Sequence, residues 1–220
     1  RPAAQKKTPD ALLRATVTAA HARRLIRPKP RAAVDATGLE VRHASRHFYW
    51  RAGRRTRRST WPKLTAVLHT ASHLFLSAVV TRGPGHDAGQ FRPAVKAATA
   101  RCPLDTLFGD AAFDGEPHHA YARDELGIRA TVFPVYRRGR PRRGKRPRGK
   151  YRRQMVRRFR PKPKASRHRR VYGQRWQIES GFSRHKRLLG SALRARRWAA
   201  QKQEIVLRVI VHNLMLLAAT

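Results

Sequence analysis

The chain has 220 residues, with 51 Lys plus Arg against 12 Asp plus Glu, giving a formal charge of +39 at pH 7 and a pI near 12.0. That excess repels itself unless a polyanion is present, and nucleic acid fits best; an anionic membrane would call for an amphipathic basic helix or a lipidation signal, and the sequence offers neither. Hydrophobic residues at 40% exclude a wholly disordered chain, while the single Cys102 excludes an internal disulfide and a Cys-based zinc site. Part of the charge reflects nothing more than an Arg-rich genome, but no neutral function needs so much of it.

Residues 1–30 are polar and basic, with a helix expected from Pro9 to about Leu25 and a proline break at Arg27-Pro28-Lys29-Pro30. They read as the tail of an upstream segment, and a start on Arg1 rather than Met points the same way. Ala32 to Ala36 is a short apolar strand carrying Asp35, with Gly38 turning the chain, and Arg46 to Arg58 is a cationic loop holding Phe48, Tyr49 and Trp50. Leu64–Thr70 and Leu74–Thr81 alternate apolar and polar residues around a short polar turn, which predicts a hairpin. After Gly83-Pro84-Gly85, Asp87 is placed to cap a helix from Ala88 to about Arg101, with Phe91, Val95 and Ala98 on one face. Leu104 to Phe108 is a further strand stopping at Gly109-Asp110; a helix from Pro117 to Leu126 and a strand from Ala130 to Phe133 follow.

A three-strand meander followed by βαβ units predicts an α/β fold with a mixed sheet and flanking helices, the order of a ribonuclease H-like domain. That domain is expected over 31–220, interrupted by a basic insertion at about 136–170 where nearly every second residue is Lys or Arg among Pro and Gly. Such a run is expected to stay disordered until it meets a polyanion; the plain alternative is a solvated linker. Trp198 to Ala219 reads as a final amphipathic helix, too short and too interrupted by Arg208, His212 and Asn213 to span a bilayer. A reducing cytoplasmic location beside the nucleoid is expected.

Asp35 and Asp110 stand at the ends of the first and fourth strands. Taken singly, an aspartate there is more often a turn former or helix cap. In the mixed sheet these strands are neighbours, so the two carboxylates come side by side. A third, Glu179, lies within Tyr172-Gly173-Gln174-Arg175-Trp176-Gln177-Ile178-Glu179 and on to Lys186, spaced Y-x2-R-x3-E-x6-K. At 3.6 residues per turn these four side chains share one stripe of a single helix. Arg175 and Glu179 at i, i+4 are explained by an ion pair, but an acid-poor chain keeps this glutamate inside a basic stripe. Three carboxylates with no Cys or His suit hard cations, Mg²⁺ or Mn²⁺; a pair of such ions about 4 Å apart activates an attacking oxygen and steadies a leaving one in phosphodiester chemistry.

With these blocks in place, the chain resembles the catalytic domain of bacterial insertion-sequence DDE transposases of the Y-x2-R-x3-E-x6-K branch. The likeness runs from about Pro30 to Leu217, through Val34 to Leu39, Gly109-Asp110-Ala111-Ala112-Phe113-Asp114, and the signature helix on to Phe182, Lys186, Arg187, Leu189 and Gly190. It implies Asp35, Asp110 and Glu179 as catalytic metal ligands, with Tyr172, Arg175 and Lys186 on transposon-end DNA. It also implies a homo-oligomer assembled on DNA ends. Ala36 departs from the Ser common at that position, little of the family's N-terminal helical DNA-binding segment is present, and the 136–170 run is more basic than the pattern requires.

Asp114 is expected to cap the following helix. His86 and Asp87 read as a helix N-cap rather than an acid–base pair, and Trp176 and Phe182 as packing on the sheet rather than on a flipped base. Two other functions share parts of this pattern. A non-catalytic basic DNA-binding protein or decayed transposase fragment needs the charge but not the carboxylates; a structure-specific nuclease needs the carboxylates but not the Y-R-E-K stripe.

Overall fold

The computed structural model describes residues 3–41, 61–134, 149–159 and 171–220. The expected loop from Arg46 to Arg58 and most of the basic run lie outside them. Helix α1 (Ala3–Ala22) leads into β1 (Arg31–Gly38), β2 (Pro62–His69) and β3 (Phe75–Arg82). Then come α2 (Phe91–Thr99), β4 (Thr106–Phe108), α3 (Glu116–Ala120), prolonged by a π-helical turn to Glu125, and β5 (Ala130–Val132). Three helices close the chain: α4 (Lys150–Phe159), α5 (Trp176–Leu189) and α6 (Trp198–Ala218).

The five strands lie in the order β3-β2-β1-β4-β5, antiparallel from β3 to β1 and parallel from β1 to β5. This is the mixed sheet expected of the ribonuclease H-like order. In the β1–β4 pair Ala33 faces Phe108; two residues further on, the same register reaches Asp35 and Asp110. The meeting of those two positions is therefore a consequence of strand register.

Side chains alternate across a strand, and both faces here are covered. Ala32, Val34 and Val67 pack with Phe91, Val95 and Ala98 of α2, the face expected of that helix. Ala33, Leu64, Ala66 and Leu68 pack with Ile178 and Phe182 of α5 and Ile205 and Val209 of α6. Asp35, two residues after Ala33, shares the α5 side. The opening residues, read from sequence as an upstream tail, supply Leu13, Val17, Ala20 and Ile26 to these same cores.

Asn213 of α6 ties the layers together. Its Oδ1 accepts from Phe75 N at 2.8 Å, and its Nδ2 donates to Phe75 O at 2.9 Å and Thr16 Oγ1 at 3.0 Å. Asn213→Ala strips these partners from a fully buried site. We expect a loss of about 3 kcal/mol, read as a lower urea midpoint at unchanged slope.

Two local expectations are corrected. Asp87 does not cap the helix after it: a 3-10 turn, Asp87–Gln90, precedes α2, its N-cap His86 makes no side-chain capping bond, and Asp87 pairs with Lys63 instead. A full charge on β2 outcompetes backbone N–H groups for this carboxylate. The basic run is not featureless either, because α4 lies within it and buries Tyr151 and Met155. An acidic pocket holds that helix. Arg152 pairs with Asp114 at 2.7 Å, Glu116 accepts from the backbone N of Tyr151 and Arg152 at 2.9 Å each, and the Tyr151 hydroxyl donates to Asp124. Gly149 makes the approach feasible: its φ is +106°, and a Cβ there would stand 2.2 Å from Glu116 Cδ.

Candidate active site

Asp35 is set mid-sheet with little access to water, so burial pushes its carboxyl up to about 6, against the bond from Ala36 N at 2.8 Å; the nearby Asp110 carboxylate adds to the rise, Arg175 opposes it and Glu179 adds again. Asp110, just past β4, caps the 3-10 turn Ala111–Phe113 by accepting from Ala112 N at 2.8 Å. The turn-capping role of an isolated aspartate is thus present here together with proximity to Asp35.

Arg175 joins the other two elements. Its guanidinium donates to Glu179 Oε1 at 2.5 Å and reaches Asp35 Oδ2 at 3.4 Å, bridging β1 to the start of α5. Tyr172 is half-buried beside them. Desolvation holds its hydroxyl above the usual range, Arg175 pulls the other way, and the charges of Asp110, Asp35 and Glu179 are all felt there. Asp35, Asp110, Tyr172, Arg175 and Glu179 therefore share one electrostatic site. Lys186 stands two turns further along α5, its ammonium disfavoured by burial and offset by Glu40.

The stripe is not one continuous α-helix. Gly173–Arg175 forms a 3-10 turn before α5 begins at Trp176. Gly173 lowers the helical preference at that point, and the tighter turn changes the angular phase between Tyr172 and the residues after it. Trp176 departs from expectation too: it is 60% exposed beside Arg175, while Phe182 packs on Phe75 with ring centroids 5.8 Å apart, as expected. Asp114 is a further correction. Gly115 is the N-cap of α3, and the Asp114 side chain is fully buried on Arg152, with His119 at 3.8 Å.

Among the described residues no three His, Cys, Asp or Glu side chains stand in a metal-holding arrangement. The donor set is nonetheless all oxygen, and one guanidinium already lies between two of its members. Such a set fits a hard cation once Arg175 moves aside and Asp35 is ionised.

The raised Asp35 value has a signed consequence. The folded chain holds this proton more tightly than the unfolded one, whose value is near 3.8, so stability falls as pH rises from there to about 6 and the full cost persists above. At roughly 1.4 kcal/mol per unit that cost is about 3 kcal/mol. Asp35→Asn should therefore melt higher than wild type at pH 8, with the gap closing at pH 4. An Asn variant less stable at pH 8 would contradict this.

Asp35 falls inside β1, which runs on to Gly38, rather than at the strand end expected from sequence. The fold is nonetheless a ribonuclease H-like mixed sheet, with Asp35 and Asp110 carried by adjacent parallel strands and Glu179 near them on α5. The Transposase DDE domain family matches residues 26–214, and the chain belongs to that family. No curated protein matches it. Among solved structures it is similar to a piggyBac transposase in a synaptic complex with hairpin DNA, at a TM-score of 0.52 and 11% identity over 88% of this chain and 48% of that one. The likeness is one of fold, and this chain spans about half the length of that protein. Among the described residues no helix is long and apolar enough to cross a membrane.

Proposed function

We propose that the chain is the catalytic domain of a bacterial insertion-sequence transposase, cleaving and joining DNA strands with Mg²⁺ or Mn²⁺ held by Asp35, Asp110 and Glu179. The observation that carries this reading is the Arg175 bridge, which ties Glu179 of the signature helix to Asp35 of β1. The bound cation would polarise an attacking water or 3′-hydroxyl and steady the leaving oxygen. The chain's own residues have separate tasks. Asp35 gives up its proton, Arg175 and Lys186 meet backbone phosphates of the transposon end, and Tyr172 orients that backbone. The reading includes a catalytic domain over 31–220 with its basic insertion, assembly as a homo-oligomer on DNA ends, and a cytoplasmic, nucleoid-associated location. It is tested by strand nicking and joining on DNA carrying the element's ends, with Mg²⁺ or Mn²⁺ against chelator. Activity unchanged by chelator ends it.

Residues 137–148 contain eight Lys or Arg flanking the docked α4. Replacing all eight with Ser and Gln, and leaving α4 in place, is expected to flatten the fall of log affinity with log salt by roughly 0.9 for each phosphate no longer neutralised. A slope equal to wild type would make this stretch a linker.

A further inference from the structure

Asp110 stands on a short segment that is held at both ends. Gly109 before it lies against two rings: a Cβ there would stand 3.0 Å from Phe133 Cδ1 and 3.1 Å from Phe113 Cδ2. After it, the 3-10 turn closes through Phe113 N to Asp110 O and Asp114 N to Ala111 O, both at 3.2 Å. Phe113 is fully buried, its ring centroid 5.7 Å from that of Phe91. The turn has no slack, so a shift of Asp114 moves the Asp110 carboxylate with it.

Asp114 is held from the basic insertion. Its side chain is fully out of water, and Arg152 meets both of its oxygens, Nε donating to Oδ1 at 3.1 Å and Nη2 to Oδ2 at 2.7 Å. The arginine is fixed in turn, because Glu116 accepts from its backbone N and from that of Tyr151. His119, also buried, stands 3.8 Å from Asp114, but its Nδ1 is bonded to Thr131 Oγ1 at 2.6 Å. A carboxylate left charged and alone in such a place is strongly unfavourable. Without Arg152 it would swing toward water and carry the turn along.

We propose that Asp114 and Arg152 are a positioning pair: the salt bridge between the Asp110 turn and α4 keeps the Asp110 carboxylate aimed at Asp35. The proposal rests on the reading of Asp35, Asp110 and Glu179 as metal ligands, and deepens it by making the basic insertion a structural part of that site. Neither residue of the pair touches the metal in this role; together they set where one ligand stands. The eight Lys or Arg at 137–148 lie just ahead of α4 in sequence, so DNA engaged by them acts on the helix that steadies Asp110.

The test uses the whole chain without DNA and has two readouts. The first is hydrogen exchange of the Ala112 amide, which donates to Asp110 Oδ1 at 2.8 Å, followed by NMR in metal-free protein. Arg152→Ala should speed this exchange roughly tenfold and leave the amides of β1 and β2 as they are, because the opening is local. Tyr151→Phe loses the bond to Asp124 and loosens α4 without touching Asp114, so it should lower Tm and leave Ala112 at the wild-type rate. The second readout is Mn²⁺ affinity by paramagnetic resonance. It should fall roughly ten- to a hundredfold in Arg152→Ala, the scale for a lost partner behind a metal ligand, and hold in Tyr151→Phe. Should Arg152→Ala not fold by circular dichroism, Arg152→Lys takes its place; it keeps the charge but not the two-point contact, and should give both changes at smaller size. Wild-type exchange at Ala112 in the Arg152 variants overturns the proposal, as does an equal loss of Mn²⁺ affinity in Tyr151→Phe. Wild type that binds no Mn²⁺ would sink the metal reading alone, and the exchange rates would still decide the role of the pair.

Discussion

Glu179→Gln should abolish strand cleavage and leave DNA binding intact or slightly tighter. The substitution keeps the size of the side chain and the helix but removes the charge that a hard cation requires. Glu179 is the most open of the bridged carboxylates, at 40% side-chain exposure against 16% for Asp35, so its loss perturbs packing least. The cleavage rate should fall roughly a thousandfold or more, the scale on which a lost charge at a transition state is felt. Affinity should hold or rise, because a negative charge facing the DNA backbone is gone. Gel-resolved nicking and filter binding on the same DNA separate these effects. Wild-type cleavage by Glu179→Gln would end the proposed mechanism and favour a basic scaffold.

Arg175→Ala is expected to move two affinities in opposite directions. The guanidinium now neutralises Asp35 and Glu179, so it competes with any cation those carboxylates could hold. Removing it should tighten Mn²⁺ binding roughly tenfold in the absence of DNA, by calorimetry or Mn²⁺ paramagnetic resonance, since one charged hydrogen-bonding partner is no longer displaced. It should also weaken binding to transposon-end DNA by a similar factor, because one backbone phosphate then goes without its guanidinium. In wild type the two effects are linked. DNA that draws Arg175 onto a phosphate frees the carboxylates, so DNA should raise metal affinity and metal should raise DNA affinity by the same factor. Equal Mn²⁺ affinity in wild type and Arg175→Ala would show that the bridge does not guard the site.

What could be read from the sequence depended on distance along the chain. Strand and helix periodicity located β1, β2 and β3, and their order required β4 to lie beside β1, which brings Asp35 near Asp110. The pairing of Arg175 with Glu179 follows from four-residue spacing. The 3-10 turn at Gly173 was not legible, because one glycine within a helical pattern is ordinarily tolerated. The burial of Asp114 was hidden for another reason: Arg152, its partner, lies 38 residues away inside a run whose average composition masks the amphipathic face of α4. Trp61 and Trp198 line one pocket although they lie far apart along the chain, and no local spacing encodes that.

The Asn213 anchor also governs when this domain can become a domain. It reaches back 138 residues to Phe75 and 197 residues to Thr16. Until α6 has left the ribosome, one face of the sheet lacks Ile205 and Val209, and β3 lacks the amide that holds it. Pairings of such separation form slowly and leave apolar strands open in the meantime. A nascent chain stalled before residue 205 should therefore be cut readily by protease, whereas one stalled beyond Leu217 with the exit tunnel cleared should resist. The domain acquires its shape only once α6 has emerged, rather than piece by piece along the way.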